Sequence, residues 1–270
     1  MNAIDFQFDG KYLSDYNCII CSFDDGKSPT TISMGSEISF TKTPVLNGKY
    51  FMITEAKYDS CIEVEFSICK DPDTISDYED KFFTVSEQRN IMRWLNRTEM
   101  CEFSIIDDEY NGITYEGSFN VDKIELNGKV IGMNLRFTSN RPFGFADRIT
   151  YNFVISSNNG KYAISDASDE IGHIYPTMII NLSSSGDLKI TNSFDGTQTI
   201  IKNCVSGEQI TFDNMVIETT NVSHSETIMN DFNFKFPKLC NSYNTRRNNY
   251  TFSLPCSVSF SYRPIRKVGL

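Results

Sequence analysis

The sequence is poor in the residues and segments that mark several common classes of protein. One tryptophan and two histidines among 270 residues leave few of the side chains that form sugar-binding platforms or catalytic dyads. No apolar run approaches the roughly 18 residues of a membrane-spanning helix, so we expect no membrane insertion. Acidic residues outnumber basic ones, 35 to 25, and the isoelectric point is near 4.8. Such a chain lacks the excess of positive charge with which nucleic-acid readers neutralise phosphates.

The N-terminus also lacks a basic start and an apolar core of the kind found in secretory signals. We therefore expect synthesis in a cytoplasm without export by that route. The eight cysteines are scattered, and Cys18 and Cys21 alone have the spacing of a zinc or redox pair. In a strand, positions three apart face opposite sides, and no second pair follows at a suitable distance. The pattern predicts buried, reduced thiols and no metal or cofactor site.

The charge is divided unevenly along the chain. Residues 1–148 contain 25 acidic and 15 basic side chains, whereas residues 149–270 contain 10 of each. The change follows the turn-rich run 139–144, Ser-Asn-Arg-Pro-Phe-Gly. A chain of this length can form two domains, each with its own core. The sequence predicts a first domain over 1–140, a linker over 141–148 and a second domain over 149–270.

Alternating apolar and polar residues predict a mainly β protein. The clearest two-faced strand spans 61–68, and strands at 113–124 and 130–137 are expected to pair through the turn 126–129. One helix is predicted near 84–97, because Thr84 and Glu87 form a capping box before an apolar stripe anchored by Trp94. The second half is predicted to contain strands alone, including 232–236, in an antiparallel sandwich.

No catalytic constellation stands out. His224 lies in a polar run between two serines without an orienting acid at a recognisable spacing, so we predict that the protein is not an enzyme. Acidic runs such as Asp107-Asp108-Glu109 match no calcium-binding pattern and are typical of solvated loops.

The order of several short segments resembles the distal tail proteins of long-tailed phages. These segments include the opening Phe6-Gln7-Phe8-Asp9-Gly10-Lys11-Tyr12, then Arg93-Trp94-Leu95, Val121-Asp122-Lys123-Ile124, Val130–Phe137 and Arg141-Pro142-Phe143-Gly144. The ending, from Asn248 through Tyr262-Arg263-Pro264 to Gly269, is also similar. The resemblance therefore runs in the same order through both halves of the chain.

The resemblance implies a tail-tube-like β domain that forms rings, followed by a galectin-like β-sandwich. It also implies a structural hub without catalytic residues, in which six copies enclose the DNA channel at the tip of the virion tail. The expected partners are other copies of the chain, the tail-tube protein, a tail-associated hub or lysin protein, and receptor-binding proteins. DNA would pass through without specific binding, and the protein would be made in the cytoplasm of a bacterial host.

A carbohydrate-binding module that attaches to host cell-surface glycans is the alternative function. A galectin-like sandwich suggests a lectin, but Trp94 falls in the first domain and His173 lies outside any His-x-Asn-x-Arg arrangement.

Three expectations about particular residues follow from the hub hypothesis. First, the first domain closes a six-fold ring through head-to-tail contacts between strand edges; the alternating strands, led by the one over 61–68, motivate this expectation. Second, Arg141 and Pro142 stiffen the junction while Phe143 and Phe145 pack between the domains. Third, several acids of the first domain face the bore and keep DNA from adhering to it; the alternative is that they lie on the outer surface and only aid solubility. The candidate bore residues are Asp71, Asp73, Asp77, Glu79, Asp80, Asp107, Asp108 and Glu109.

Overall fold

A computed structural model describes residues 4–23, 35–107 and 112–267. The chain forms two compact units, one made of Met1–Ala146 with Arg266–Leu270, and the other of Asp147–Ile265. The 141–148 segment is thus divided between the units, with residues 141–146 in the first. Both units are built from antiparallel strands, which confirms the predicted fold class, mainly β with one longer helix in the first unit.

The first unit contains ten strands and one α-helix in the described residues. They are β1 (Asp5–Phe8), β2 (Lys11–Tyr12), β3 (Cys18–Cys21), β4 (Ile38–Val45), β5 (Tyr50–Tyr58), β6 (Glu63–Lys70), α1 (Val85–Leu95), β7 (Cys101–Ile106), β8 (Ile113–Leu126), β9 (Lys129–Ser139) and β10 (Gly144–Ala146). The main sheet has the order β2-β1-β7-β8-β9-β6-β3, and β10 pairs with β8.

The longest pair, β8 and β9, is joined by the predicted turn. Leu126 is paired with Lys129, and Asn127 and Gly128 between them have φ angles of 52° and 78°. A two-residue turn with two positive φ angles matches the twist of the flanking strands, and Asn-Gly adopts it readily. The prediction of this hairpin is confirmed.

An aromatic cluster fills the core of the first unit. Phe6, Phe103, Phe119 and Phe137 are buried, and their rings contact one another at centroid distances from 4.4 to 5.7 Å. These side chains come from β1, β7, β8 and β9 at alternating positions, so each strand directs one face toward the same core.

Helix α1 closes over this core. Its predicted capping box is present: Glu87 N–H donates to Thr84 Oγ1 over 3.3 Å, and Thr84 N–H donates to Glu87 Oε2 over 2.7 Å. Ile91, Trp94 and Leu95 are buried on one face of the helix. The predicted helix is confirmed, and Trp94 is the anchor that the sequence indicated.

The alternating strand β6 has the two faces that the sequence predicted. Glu63 and Glu65 are exposed, while Val64 and Ile68 are buried. Its backbone pairs with β9 on one side and with β3 on the other. Strand β3 covers only Ser67–Lys70, so among the described strands Glu63–Phe66 have no neighbour on that side. The expectation that strand edges such as this one join the subunits stays a prediction.

Strands β4 and β5 form a separate two-stranded hairpin. Among the described strands they pair with each other alone, from Ile38 opposite Tyr58 to Val45 opposite Tyr50. Alternation over residues 36–40 indicates the beginning of β4, and no pattern in the sequence indicates β5.

The second unit is a sandwich of two main sheets. Its strands are β11 (Ile149–Ile155), β12 (Gly160–Ser165), β13 (Gly172–Ile174), β14 (Thr177–Leu182), β15 (Gly186–Asn192), β16 (Gln198–Cys204), β17 (Gln209–Asp213), β18 (Val216–Thr219), β19 (Leu239–Asn241), β20 (Arg247–Phe252) and β21 (Cys256–Tyr262). The last strand, β22 (Ile265–Arg266), begins in this unit and ends in Arg266 of the first. One sheet has the order β11-β21-β14-β17-β18 and the other β12-β20-β15-β16. Apolar side chains of both sheets, such as Phe212 and Phe260 from one and Ile190 and Phe252 from the other, share a single core.

Two expectations for this half are wrong. Two short helices, α2 (Val222–Ser225) and α3 (Ile228–Asp231), interrupt the strands. The predicted strand over 232–236 is reduced to one isolated bridge between Phe232 and Ile201. Its three phenylalanines alternate as in a strand, but they contact one another and the core as a compact aromatic loop. Within the described residues, the helices are all too short or too polar to cross a membrane.

Candidate functional site

The β4–β5 hairpin carries the largest group of exposed apolar side chains in the first unit. We call this group the hairpin surface; its members are Ile38, Phe40, Leu46, Tyr50, Phe51, Met52 and Ile53, each between 51 and 70 % exposed. Isolated exposed hydrophobic residues are ordinary, but a contiguous group of this size marks an interaction site.

The hairpin surface is apolar on both faces of the hairpin. Tyr50, Phe51, Met52 and Ile53 are consecutive in β5, so their side chains point alternately to opposite faces. Strands with apolar residues on both faces are typical of sheets covered on both sides. The hairpin therefore has the apolar composition that is typical of a buried strand pair, yet its side chains are exposed to solvent.

The candidate bore residues from 71 to 80 lie together in one segment between β6 and α1. Asp71 caps a short 3-10 helix by accepting from Asp73 N–H over 3.0 Å, and Asp80 accepts from Asp77 N–H over 3.1 Å in a second one. Glu79 forms an ion pair with Lys129. These acids therefore hold the segment's own turns, and basic side chains lie among them.

Asp107 is not brought together with that segment. It follows β7, whose end pairs with the beginning of β1, whereas the 71–80 segment follows β6 and contacts the turn at the other end of β8. The 14 residues of β8 lie between the two groups, which at about 3.3 Å per residue is roughly 45 Å along the strand. Asp108 and Glu109 lie outside the described residues.

The four predicted junction residues lie close together in the first unit. Phe143 and Phe145 meet edge to face at 5.6 Å, and the Arg141 guanidinium lies 5.1 Å from the Phe145 ring centre. Pro142 O accepts a hydrogen bond from Ser36 Oγ over 3.0 Å. Phe145 is also paired with Thr114 of β8. Their predicted role between the domains stays a prediction.

A buried polar cluster in the second unit was missed by sequence reasoning. His224 lies in α2, not in a polar loop, and its side chain is 4 % exposed. Its Nδ1 lies 2.5 Å from Glu208 Oε1, and the Glu208 side chain is completely buried. Glu208 also accepts hydrogen bonds from Thr219 Oγ1 and from Val205 N–H. The orienting acid is thus present, 16 residues before the histidine.

Two further side chains flank this pair. Cys204 Sγ, a Glu208 carboxylate oxygen and a His224 ring nitrogen all lie within 4.8 Å of one another. Burial is the main cause that raises the pKa of the Cys204 thiol to about 12. On the other side of the ring, His224 Nε2 is buried without a hydrogen-bond partner, 3.6 Å from Asp231 Oδ2. Among the described residues no nucleophile is bonded to that nitrogen, so they do not complete a triad with the pair.

The aromatic residues considered for sugar binding are not arranged as a platform. Trp94 is 4 % exposed, stacks on Tyr16 at 4.5 Å and donates its Nε1–H to Phe8 O over 2.9 Å. His173 lies in β13, edge-on to Tyr175. The tryptophan is therefore buried in the core of the first unit, where its ring cannot stack on a sugar.

Comparison with known proteins gives a consistent result across the chain. Residues 1–141 match the model of a phage tail protein N-terminal domain, and residues 143–262 match that of a phage tail C-terminal domain. No curated protein matches the sequence.

Among solved structures, the fold is similar to that of the SPP1 Dit (gp 19.1) protein. The TM-score is 0.63 at 13 % sequence identity, over 97 % of this chain and 99 % of that one. That protein is described as a paradigm of the hub adsorption apparatus in phages that infect Gram-positive bacteria. At this identity the similarity establishes the fold, and it agrees with the resemblance seen in the sequence. Because the N-terminal domain model alone covers more than half of the chain, this protein belongs to that family of phage tail proteins.

Proposed function

We propose that this tail protein is a structural hub of the tail tip, in which six copies form a ring that joins the tail tube to the baseplate and encloses the DNA channel. The observation that supports this proposal most strongly is the hairpin surface. A tail protein of this fold needs a contact between copies, and the hairpin is the described element whose composition requires one.

The energetics favour a partner for the hairpin. An isolated two-stranded hairpin is at best marginally stable in water. Burying a large apolar side chain contributes about 1.5–3 kcal/mol, so seven of them supply on the order of 10 kcal/mol before the costs of association. The hairpin surface is therefore large enough to hold one subunit against the next.

A ring requires a contact that is not self-complementary. When one patch binds a different patch on the neighbour, repetition of the contact closes a ring if the rotation fits. The main sheet of the first unit ends in β2 and β3. Ile20 N–H of β3 already donates to Ile4 O over 2.9 Å, so β2 is the terminal strand whose outer side lacks a neighbour among the described strands. Such edges accept an added strand through backbone hydrogen bonds. We infer that the hairpin of one copy docks at an edge of the next.

The remaining partners follow from the position of a hub. They are the tail-tube protein on one side, the tail-associated hub or lysin protein on the other, and receptor-binding proteins around the periphery, all at the virion tail tip. The exposed acids Asp73, Asp77, Glu79 and Asp80 would face the bore. Double-stranded DNA is densely negative, so a negative wall would let it slide without adhering. Asp107 would lie at the opposite end of the main sheet from these four acids.

The oligomeric state of hairpin variants tests this proposal. We expect the purified protein to form hexamers by light scattering, and Phe51→Asp combined with Ile53→Asp to yield folded monomers. Val154→Asp is the matched control, because Val154 is 74 % exposed on β11 of the second unit. The control should assemble normally. Hexamers that survive the double substitution would show that the hairpin does not make the contact.

A further inference from the structure

We propose that Cys204, Glu208 and His224 form a zinc site in the second unit. The three residue types are the ones that zinc prefers, with one thiolate, one imidazole and one carboxylate. A mixed sulfur, nitrogen and oxygen set is unsuited to calcium or magnesium, which take oxygen ligands. This inference is independent of the proposed hub function.

The local structure brings the ligands together in a compact arrangement. Cys204 ends β16, and Glu208 precedes β17 after a turn in which Gly207 has a φ of 82°. Within that turn Val205 N–H donates to Glu208 Oε2 over 2.8 Å, which fixes the carboxylate. The side chain of Asn221 caps α2 by accepting from His224 N–H over 3.1 Å, which places the imidazole above the turn.

The distances are close to those of a metal site without the metal. The three ligand atoms lie within 4.8 Å of one another, and His224 Nδ1 and Glu208 Oε1 are 2.5 Å apart. Around a tetrahedral ion at about 2.0–2.1 Å from each, these two atoms would be roughly 3.3 Å apart. A movement of less than about 1 Å therefore converts the hydrogen bond into two metal bonds.

The second ring nitrogen supports this assignment. His224 Nε2 is buried without a hydrogen-bond partner, with Asp231 Oδ2 3.6 Å away. Buried polar atoms are rarely left unpaired. When a metal binds Nδ1, the ring proton resides on Nε2 and points to Asp231, and the Cys204 thiol releases its proton to solvent. This is the usual arrangement in which a carboxylate orients a ligating histidine.

Of the three ligands, His224 alone borders a depression that is open to solvent. A surface depression next to the cluster is lined by Asn203, Val205, His224 and Asp231. Three protein ligands leave a fourth tetrahedral position, which water can fill. The site would tie α2 to the β16–β17 turn and thereby stabilise this end of the sandwich.

The test uses the full-length protein, stripped with a chelator and titrated with Co²⁺ and then with Zn²⁺. We expect one metal ion per chain, a near-ultraviolet charge-transfer band from a thiolate-bound Co²⁺, and a higher melting temperature of the second unit with Zn²⁺. Cys204→Ser should abolish the band. Asp231→Asn should weaken Zn²⁺ binding about 10–100-fold, as loss of a carboxylate behind a ligating histidine does.

Cys69→Ser is the matched control. Cys69 shares a side-chain hydrogen bond with Cys21 in the first unit, and these two thiols could also bind a soft metal. The band should be unchanged in this variant. A chain that binds no metal, or a band that persists in Cys204→Ser, would overturn the proposal. Should Cys204→Ser fail to fold, mass spectrometry of the intact wild-type protein after Zn²⁺ addition still decides, by whether one ion is retained.

Discussion

At the scale of single residues, Trp94 is buried with both its ring and its N–H group in contact with partners. Its indole stacks on Tyr16 at 4.5 Å and lies parallel to Phe6 at 5.5 Å, while its N–H satisfies the carbonyl of Phe8. Offset stacking and a hydrogen bond add to the large apolar area that a tryptophan buries. The sequence identified it as an anchor because it falls on the apolar stripe of an amphipathic helix.

We expect Trp94→Ala to destabilise the first unit by about 3–5 kcal/mol, the range for a large aromatic removed from a core. Chemical denaturation followed by circular dichroism measures the change. Met92→Ala on the same helix is the control, since Met92 is 39 % exposed, and should change stability by less than about 1 kcal/mol. Equal effects of the two substitutions would contradict the packing described here.

Glu87 makes the stability of the first unit dependent on pH. Burial would raise its pKa, but hydrogen bonds from Lys70 and Thr84 outweigh that effect and lower it. A carboxyl group with a lowered pKa contributes stability above its unfolded pKa of about 4.3, and that contribution is lost as the pH falls through the folded value.

Glu87→Gln should therefore lower stability at neutral pH and reduce the loss of stability on acidification. Melting temperatures between neutral and acid pH measure this difference. Glu63→Gln, on the exposed face of β6, serves as the control and should keep the pH dependence of the wild-type protein. If Glu87→Gln and wild type lose stability in parallel, the ion pair and the cap contribute nothing.

The zinc ligands illustrate where residue-level prediction from sequence ends. Cys204, Glu208 and His224 match no known spacing, and Glu208 and His224 are separated by a complete strand pair. Glu208 stands between Gly207 and Gln209, in a polar turn sequence that gives no sign of burial. Only the burial of Glu208, produced by the fold, shows that it needs a partner.

At the scale of elements, local signals predicted the structure where a single face is buried. The alternation of β6, the Asn-Gly turn of β8 and β9, and the capping box of α1 each follow from one local rule. Strand β5 was missed because its apolar residues are consecutive, so they show no period of two. The helices α2 and α3 were missed because four residues are too few for a helical periodicity to appear.

The junction segment provides a prediction at this scale. Gly144–Ala146 is a strand, and the backbone oxygens of Arg141 and Pro142 accept hydrogen bonds from Ser139 and Ser36. Chymotrypsin should therefore cut slowly after Phe143 and Phe145 and first at exposed aromatics such as Tyr243, which is 91 % exposed. Mass spectrometry of early fragments measures the order. Rapid cleavage between residues 139 and 148 would mean that the segment is a flexible link.

At the scale of the whole molecule, charge provides a test of the channel. The first half of the chain has a surplus of ten acids, which six copies would concentrate in one ring. Asp73 and Glu79 are suitable for substitution, because Asp71 and Asp80 hold backbone turns. In virions, Asp73→Lys with Glu79→Lys should permit tail assembly and slow DNA ejection. Glu218→Lys, on an exposed position of β18 in the second unit, is the control. Normal ejection in the double variant would place these acids away from the bore.

Composition and order of segments were enough to predict the mainly β fold and the phage tail family. They did not point to the β4–β5 hairpin, through which we propose that copies meet. The strand over 61–68 was chosen because it alternates, yet alternation reports burial of one face and says nothing about a free edge. The β4–β5 hairpin exposes apolar side chains on both faces. This exposure can be recognised only once the strand pairing is known, because the sequence does not show which strands cover the hairpin.

Electron microscopy of the purified full-length protein, with averaging of single particles, tests the central claim most directly. The account predicts closed rings of six subunits in which each β4–β5 hairpin lies against the neighbouring copy. Particles that remain monomeric at high concentration, together with absence of the protein from purified virion tails, would contradict it.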